Sequence, residues 1–356
     1  MKLSDFDYNL PEELIASHPV VPRDHSRLLI LHRDSGRIEH RHFYDLSRYL
    51  RAGDVLVCND TKVFPARLIG RRAETGGRVE VLLERELSPD QWRVVGRGLK
   101  VGQRIVFAGS NLKAIITGKE DETYLASFNY AGEDFFTELE RIGQVPLPPY
   151  IIRRRTDRIG ERINEYGNDR KNYQTVYARH RGSAAAPTAG LHFTPELIDR
   201  IKQMGIKVLN LTLHVGLGTF APVKSENVED HKMHSEYFSI GREIIEKIIL
   251  AKREHRRIIA IGTTTTRVLE HVFSDPMICD TKYVLRDLSG WTDIFIHPPY
   301  QFKCIDGLIT NFHLPRSTLL LLVSAFAGPA WIKKAYAEAV NRRYRFYSYG
   351  DAMLII

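Results

Sequence analysis

The chain has 356 residues, 43% hydrophobic and 26% charged, a balance that supports a large globular core without disulfides or a structural metal. Its three cysteines, Cys58, Cys279 and Cys304, lie far apart and form no CxxC pair, which argues against a zinc ribbon or disulfide framework and for a reducing compartment. The net charge of +8 is concentrated: nine basic residues face four acids between Ile151 and Gly182, and five face Glu338 alone between Lys333 and Arg345. Such patches suit a phosphate backbone, with a solvated face that serves solubility as the plainer reading.

The opening segment, Met1 to Asp7, is acidic where a signal peptide is basic and then apolar, so a cytoplasmic protein is expected. Arg51-Ala52-Gly53-Asp54 reads as a turn into a buried strand, Val55 to Cys58, closed by Asn59-Asp60. From about Leu68 to Phe128 the pattern becomes short alternating runs (78–83, 91–95, 104–107 and 112–116) separated by glycine-bearing or polar turns, the signature of a small antiparallel barrel or sandwich.

Beyond Tyr150 helices and strands alternate. Thr194-Pro195-Glu196 is a helix start, with Gly205 as the stop and a strand over 206–211 directly after it. A second amphipathic helix spans 242–255 and feeds the strand 257–262, and a last helix runs from Trp331 to Arg343. This alternation predicts a layered α/β domain with a mostly parallel or mixed sheet and a site at the carboxyl ends of its strands. The longest apolar run, Leu319 to Phe326, is too short to span a bilayer, so no membrane role is expected.

Four loops after predicted strands carry small, polar and histidine residues. Thr188-Ala189-Gly190-Leu191-His192-Phe193 precedes a helix start whose amides suit a carboxylate or phosphate. His214-Val215-Gly216-Leu217-Gly218-Thr219 matches a dinucleotide fingerprint formally, but Pro222 and a polar run follow it, so a Rossmann site is rejected. Gly262-Thr263-Thr264-Thr265-Thr266-Arg267 has no GK[ST] and is no P-loop; capping accounts for one of its threonines. Asn311-Phe312-His313 stands before the leucine run. His231 and His234 have HxxH spacing but no third ligand nearby, and no metal site is expected. A single histidine is more often a hydrogen-bonded core or surface residue than a catalyst, so only His192, His214 and His313 are singled out, for the loops they sit in.

Ordered strings along the whole chain carry a closer likeness. They include Asn59-Asp60-Thr61-Lys62-Val63, Val145-Pro146-Leu147-Pro148-Pro149-Tyr150, Ala186 to Phe193, Leu213-His214-Val215-Gly216, Met233-His234-Ser235-Glu236, Leu308 to Pro315 and Tyr344 to Met353. The sequence resembles the S-adenosylmethionine:tRNA ribosyltransferase-isomerase family from Met1 to Ile356. It departs only in detail, at Ala185 and at Pro299, where a bulkier apolar residue and a glycine are expected.

The resemblance implies an α/β/α main domain with a mixed sheet, formed by 1–67 and 146–356, and an inserted antiparallel β-barrel, 68–145. It implies an enzyme that takes the ribosyl group of S-adenosylmethionine, a co-substrate, and joins it to 7-aminomethyl-7-deazaguanine at a tRNA wobble position. Epoxyqueuosine forms and adenine and methionine leave. No prosthetic group is implied, and a monomer is expected. The sulfonium acidifies the donor's C5′, so a base must take that proton and an acid must protonate the departing adenine. His192, His214 and His313, with Asp60 and Asp351, are the candidates. Arg67 or Arg267 would hold the methionine carboxylate, and Phe193 or Phe312 would stack on adenine. Thr188, Ala189, Gly190, Gly216, Gly218, Thr219, Thr263, Thr264 and Asn311 would line the donor site. Tyr150, Arg153, Arg154, Arg155, Tyr173, Gln174 and Arg179 would hold the anticodon arm. The competing classes are a non-catalytic RNA-binding protein, which leaves the polar loops unexplained, and a conventional tRNA methyltransferase, which wants a glycine-rich loop opening a helix.

Overall fold

The computed structural model describes residues 1–148, 150–151, 165–216, 223, 225–279 and 286–356. Strands β1 (Arg27–His32) and β2 (Arg37–His42) form a hairpin, followed by β3 (Val55–Asn59) and the short β4 (Thr61–Val63). The next six strands leave this layer: β5 (Arg67–Arg72), β6 (Arg78–Ser88), β7 (Gln91–Val95), β8 (Arg104–Phe107), β9 (Lys113–Glu120) and β10 (Thr123–Phe128). They close into an antiparallel barrel in the order β10-β7-β6-β5-β8-β9. Alternation drives the closure. In β6 Val79, Val81 and Leu83 point inward while Arg78 and Glu80 stay in water. Helix α1 (Gly132–Ile142), not assigned from sequence, adds Phe135 and Leu139 to the barrel core.

The chain then forms α2 (Glu165–Asn172), β11 (His180–Ser183), α3 (Pro195–Gln203), β12 (Lys207–Leu213), β13 (Glu236–Ile240) and α4 (Arg242–Arg253). It continues through β14 (Ile258–Ile261), α5 (Thr263–Val272), β15 (Leu288–Thr292), β16 (Gly307–Asn311), α6 (Thr318–Ala327), α7 (Pro329–Asn341) and β17 (Ala352–Ile355). Thr194 caps α3 as its sequence dictates, its hydroxyl accepting the Leu197 amide at 3.2 Å. The leucine run is α6, apolar nearly all round because it is buried nearly all round. Among the described residues no single helix is long and apolar enough to cross a membrane.

A nine-stranded mixed sheet orders these strands β15-β13-β12-β3-β14-β16-β17-β1-β2. Its centre, β12-β3-β14-β16, is parallel, while β16–β17, β1–β2, β12–β13 and β13–β15 are antiparallel. Both faces are covered, so β3 is a continuous apolar run. Val55 and Val57 pack with α4, α5, α6 and α7, whereas Leu56 and Cys58 pack with α3. The result is an α/β/α sandwich carrying an inserted barrel, as expected.

Candidate active site

Because β12, β3, β14 and β16 are parallel, their carboxyl ends and following loops meet at one sheet edge. Asn59 ties this edge together. Its Nδ2 donates to the Leu213 carbonyl at 3.0 Å and to Thr264 Oγ1 at 3.3 Å, and its Oδ1 accepts the Thr61 and Leu213 amides. The next residue, Asp60, is buried, and Thr212 Oγ1 donates to its Oδ1 at 2.7 Å. His180 Nε2 lies 3.8 Å from Oδ2. Burial pushes the Asp60 carboxyl above its ordinary range, outweighing the Thr212 hydroxyl and the charges of His180 and Arg179.

Thr61 Oγ1 meets His214 Nδ1 at 2.8 Å, and the His214 ring stacks on Tyr237 with centroids 5.8 Å apart. On another side the ring leaves no room for a Cβ at Gly182, where one would lie 2.6 Å from Nε2. Burial, assisted by the nearby His180, pushes the His214 imidazole down to about 4, so it is neutral at pH 7.

His214 lines a cleft of about 370 Å³ between the sheet edge and the barrel. The main domain contributes Gly182, Val215, Gly216, His234, Ser235, Glu236, Tyr237 and Trp291. The barrel contributes Glu84, Arg85, Glu86, Trp92 and Arg93. Glu236 accepts the Gly216 amide at 3.0 Å on one oxygen and pairs with Arg267 through the other, both side chains being nearly out of water. Arg267 also donates to the Ile294 and Thr292 carbonyls. Across the cleft mouth the Arg85 guanidinium sits 3.9 Å from the centre of the Trp291 ring.

The other expected residues fall into separate groups. His192, Thr188 and Asn311 form one network. Asn311 Nδ2 donates to His192 Nε2 at 3.1 Å, His192 Nδ1 meets Ser26 Oγ at 2.7 Å, and Thr188 Oγ1 donates to Asn311 Oδ1 at 2.9 Å. Both ring nitrogens of His192 are therefore engaged, and burial pushes it down to about 3. Ala189 and Gly190 lie in the same turn, and the Thr175 and Tyr177 side chains leave no space for a Cβ on Gly190. His313 is buried against Thr310, its Nε2 2.7 Å from Oγ1, and is likewise held at about 3 by desolvation.

Phe193 and Phe312 are both core residues. Phe193 packs edge-on against Phe43 at 4.9 Å, and Phe312 lies among Tyr336, Tyr344 and Phe346. Asp351 accepts the Arg27 and Arg345 amides and pairs with the Arg27 side chain. Arg67 pairs with Glu80 at the root of the barrel at 2.9 Å. In the threonine turn the cap is Gly262, at φ 87°, with no side-chain cap bond, which corrects the expectation of a capping threonine. Thr265 and Thr266 donate back to the Ile261 and Gly262 carbonyls, Thr263 is buried, and Thr264 accepts from Asn59.

Tyr173 is fully buried, Tyr150 bonds Ser348 through its hydroxyl, and the Gln174 side chain pairs with the Val63 backbone at 3.0 and 3.1 Å. Arg179 is exposed beside Asp60, whose carbonyl accepts its amide at 2.7 Å. Arg153, Arg154, Arg155, Gly218 and Thr219 lie outside the described residues. Among the described residues no three metal-ligating side chains gather.

Sequence reasoning missed Glu236, Tyr237, Trp291 and the whole barrel wall. Met233-His234-Ser235-Glu236 was a signal for the first of these; the barrel residues carried none, since charged side chains on alternating strands read as ordinary surface.

A mixed α/β/α sheet with a polar cleft at its carboxyl edge, roofed by an inserted barrel, defines an enzyme-like architecture of two domains. The chain belongs to the queuosine biosynthesis protein family, whose model matches residues 3–355. Curated relatives named S-adenosylmethionine:tRNA ribosyltransferase-isomerase include proteins of Halothermothrix orenii, 50% identical, and Symbiobacterium thermophilum, 51% identical, each over the full length of both chains. A crystal structure of the S-adenosylmethionine tRNA ribosyltransferase of Thermotoga maritima is 38% identical and superposes with a TM-score of 0.56, covering 99% of this chain and all of that one.

Proposed function

We propose that the chain is an S-adenosylmethionine:tRNA ribosyltransferase-isomerase that works in the cleft between barrel and sheet edge. The reaction joins the donor's ribosyl group to 7-aminomethyl-7-deazaguanine at the wobble position and releases adenine and methionine. S-Adenosylmethionine is a co-substrate, with no prosthetic group, and the protein acts as a cytoplasmic monomer.

One observation supports this placement above the rest. Two groups at the sheet edge, His214 in the cleft lining and Asp60 next in sequence to its partner Thr61, are driven to opposite protonation states, His214 toward the neutral ring and Asp60 toward the protonated acid. A neutral imidazole fixed by Thr61 is suited to take the C5′ proton at Nε2. A carboxyl biased to hold its proton is suited to deliver one to the departing adenine. His192 and His313, bonded behind the sheet edge, act by positioning Asn311 and Thr310.

For the donor, the start of α5 at Thr263 and Thr264 and the Thr188–Gly190 turn supply polar backbone, beside Gly216, whose amide Glu236 holds. Arg267 works through Glu236, while Tyr237 and Trp291 offer ring faces inside the cleft. Arg179, with Arg153, Arg154 and Arg155, supplies cations for the anticodon arm.

The test is incubation with S-adenosylmethionine and wobble-modified tRNA, with free adenine as the readout. His214→Asn and Asp60→Asn should each lower its rate by about 10²-fold or more. S-Adenosylhomocysteine in place of adenine would mean methyl transfer, and neither product would mean a binding protein. Undiminished rates in both variants would remove the acid–base assignment.

A further inference from the structure

The barrel wall of the cleft is built unlike a passive roof. Opposite β7, strand β6 slips register: Leu83 faces Val94 and Arg85 faces Arg93, leaving Glu84 as the extra residue of a bulge. A bulge re-aims a side chain that strict alternation would send elsewhere. Glu84, Trp92 and Arg93 all line the cleft. Among the described residues, Glu84 Oε2, Trp92 Nε1 and Arg93 Nε are buried atoms with no hydrogen-bond partner. Arg93 is anchored by Glu120 at 2.6 Å, and the Trp92 ring by Phe64 and Phe135 with centroids 5.7 and 5.4 Å away. Buried polar atoms are rarely left unpaired, since each forfeits about 1–3 kcal/mol. Three along one wall of one cleft match a ligand that brings the missing partners.

We propose that Glu84 and Trp92 read the Watson–Crick edge of the base being modified. This rests on the function proposed above and adds a role for the barrel. A guanine-type base presents two adjacent donors, N1–H and the 2-amino group, beside one acceptor, O6. A carboxylate accepts from both donors, and an indole N–H donates to the oxygen. Adenine reverses this order, placing a donor against the indole and an unprotonated nitrogen against the carboxylate, so the same wall rejects it. The base enters from the barrel side and carries its aminomethyl group toward the sheet edge, where His214 and Asp60 stand.

The probes are two anticodon hairpins, identical except that one carries 7-aminomethyl-7-deazaguanine and the other adenine at the wobble position. The full-length parent should bind the first more tightly; Glu84→Gln, which keeps the side chain's shape, and Trp92→Phe, which removes the indole N–H and leaves a smaller ring in the barrel core, should each cut that preference roughly tenfold to a hundredfold. Binding of S-adenosylmethionine alone should be unchanged in both. A preference intact in both variants overturns the proposal, as does an equal loss of S-adenosylmethionine binding, which would make the wall a donor site. Should the parent release no adenine from S-adenosylmethionine in the presence of the modified hairpin, the proposed function itself fails. Adenine release by the parent with an unaltered base preference in the variants removes this inference alone.

Discussion

Thr61 and His214 meet side chain to side chain, the threonine hydroxyl 2.8 Å from Nδ1, although 153 residues separate them. The contact engages one ring nitrogen, Nδ1, and leaves Nε2 as the nitrogen for the substrate. Thr61→Val should lower kcat about tenfold with little change in KM for either substrate, because the ring loses its orientation while the cleft keeps its shape. Thr61→Ser should restore the rate. Steady-state adenine release is the measurement, and a change confined to KM would count against an orienting role.

Gly182→Ala tests the same ring from its other side. The new Cβ would lie 2.6 Å from Nε2 and 2.7 Å from Cε1, so the imidazole must move. The positive φ of 152° at Gly182 adds backbone strain to that clash, so the variant should lose some thermal stability and, assayed below its midpoint, turn over at least tenfold more slowly. Parent-like kinetics would mean that His214 need not sit where it does.

Buried neutral histidines make stability depend on pH with a definite sign. His192 and His313 are both held at about 3, against an ordinary value of 6.5, because desolvation penalises the charged ring. Unfolding releases them to bind protons. Their contribution is therefore present above pH 6.5 and is lost as pH falls toward 3. At pH 5 each favours the unfolded chain by about 2 kcal/mol relative to pH 8, from about 1.4 kcal/mol per pH unit below 6.5. Urea midpoints measured between pH 8 and 5 should fall accordingly, and His192→Gln should flatten the slope.

The Glu236–Arg267 pair is nearly excluded from water on both sides, at 5% and 6% exposure. Removing one partner leaves the other charge buried, so Arg267→Met should cost about 3–5 kcal/mol in chemical denaturation. The double variant Glu236→Gln with Arg267→Met should recover a substantial part of that loss. Its activity should stay low, because the Gly216 amide loses a carboxylate acceptor.

Legibility in the sequence followed physical range. Strands buried on both faces, the Thr194 cap and the barrel's alternation are local patterns, and each appeared where it was expected. The strand-end loops were also legible, since a parallel sheet collects them on one edge. What separates His214 from His192 and His313 is not local. All three sit in similar loops, but Ser26, Asn311 and Thr310 engage two of them behind the edge, and those partners are set by tertiary packing. The leucines of α6 carried no periodic signal because solvent touches almost none of them. Glu84 was invisible for a different reason: a bulge is a mismatch between two strands, and one strand read alone does not contain it.

The barrel joins the sheet through a narrow neck. Arg67, where the chain enters, and Gln144, where it leaves, exchange backbone hydrogen bonds of 3.0 and 2.8 Å. The excursion thus begins and ends at one point, and side-chain contacts such as Arg85 over Trp291 and Arg181 over Phe136 brace it against the main domain. Breaking a cation–π contact at an exposed site costs about 1 kcal/mol, comparable with thermal energy. The width of the cleft is therefore set by side chains and not by the chain's path, with Arg85 over Trp291 on one side and Arg170 on the Glu140 and Gly143 carbonyls on the other.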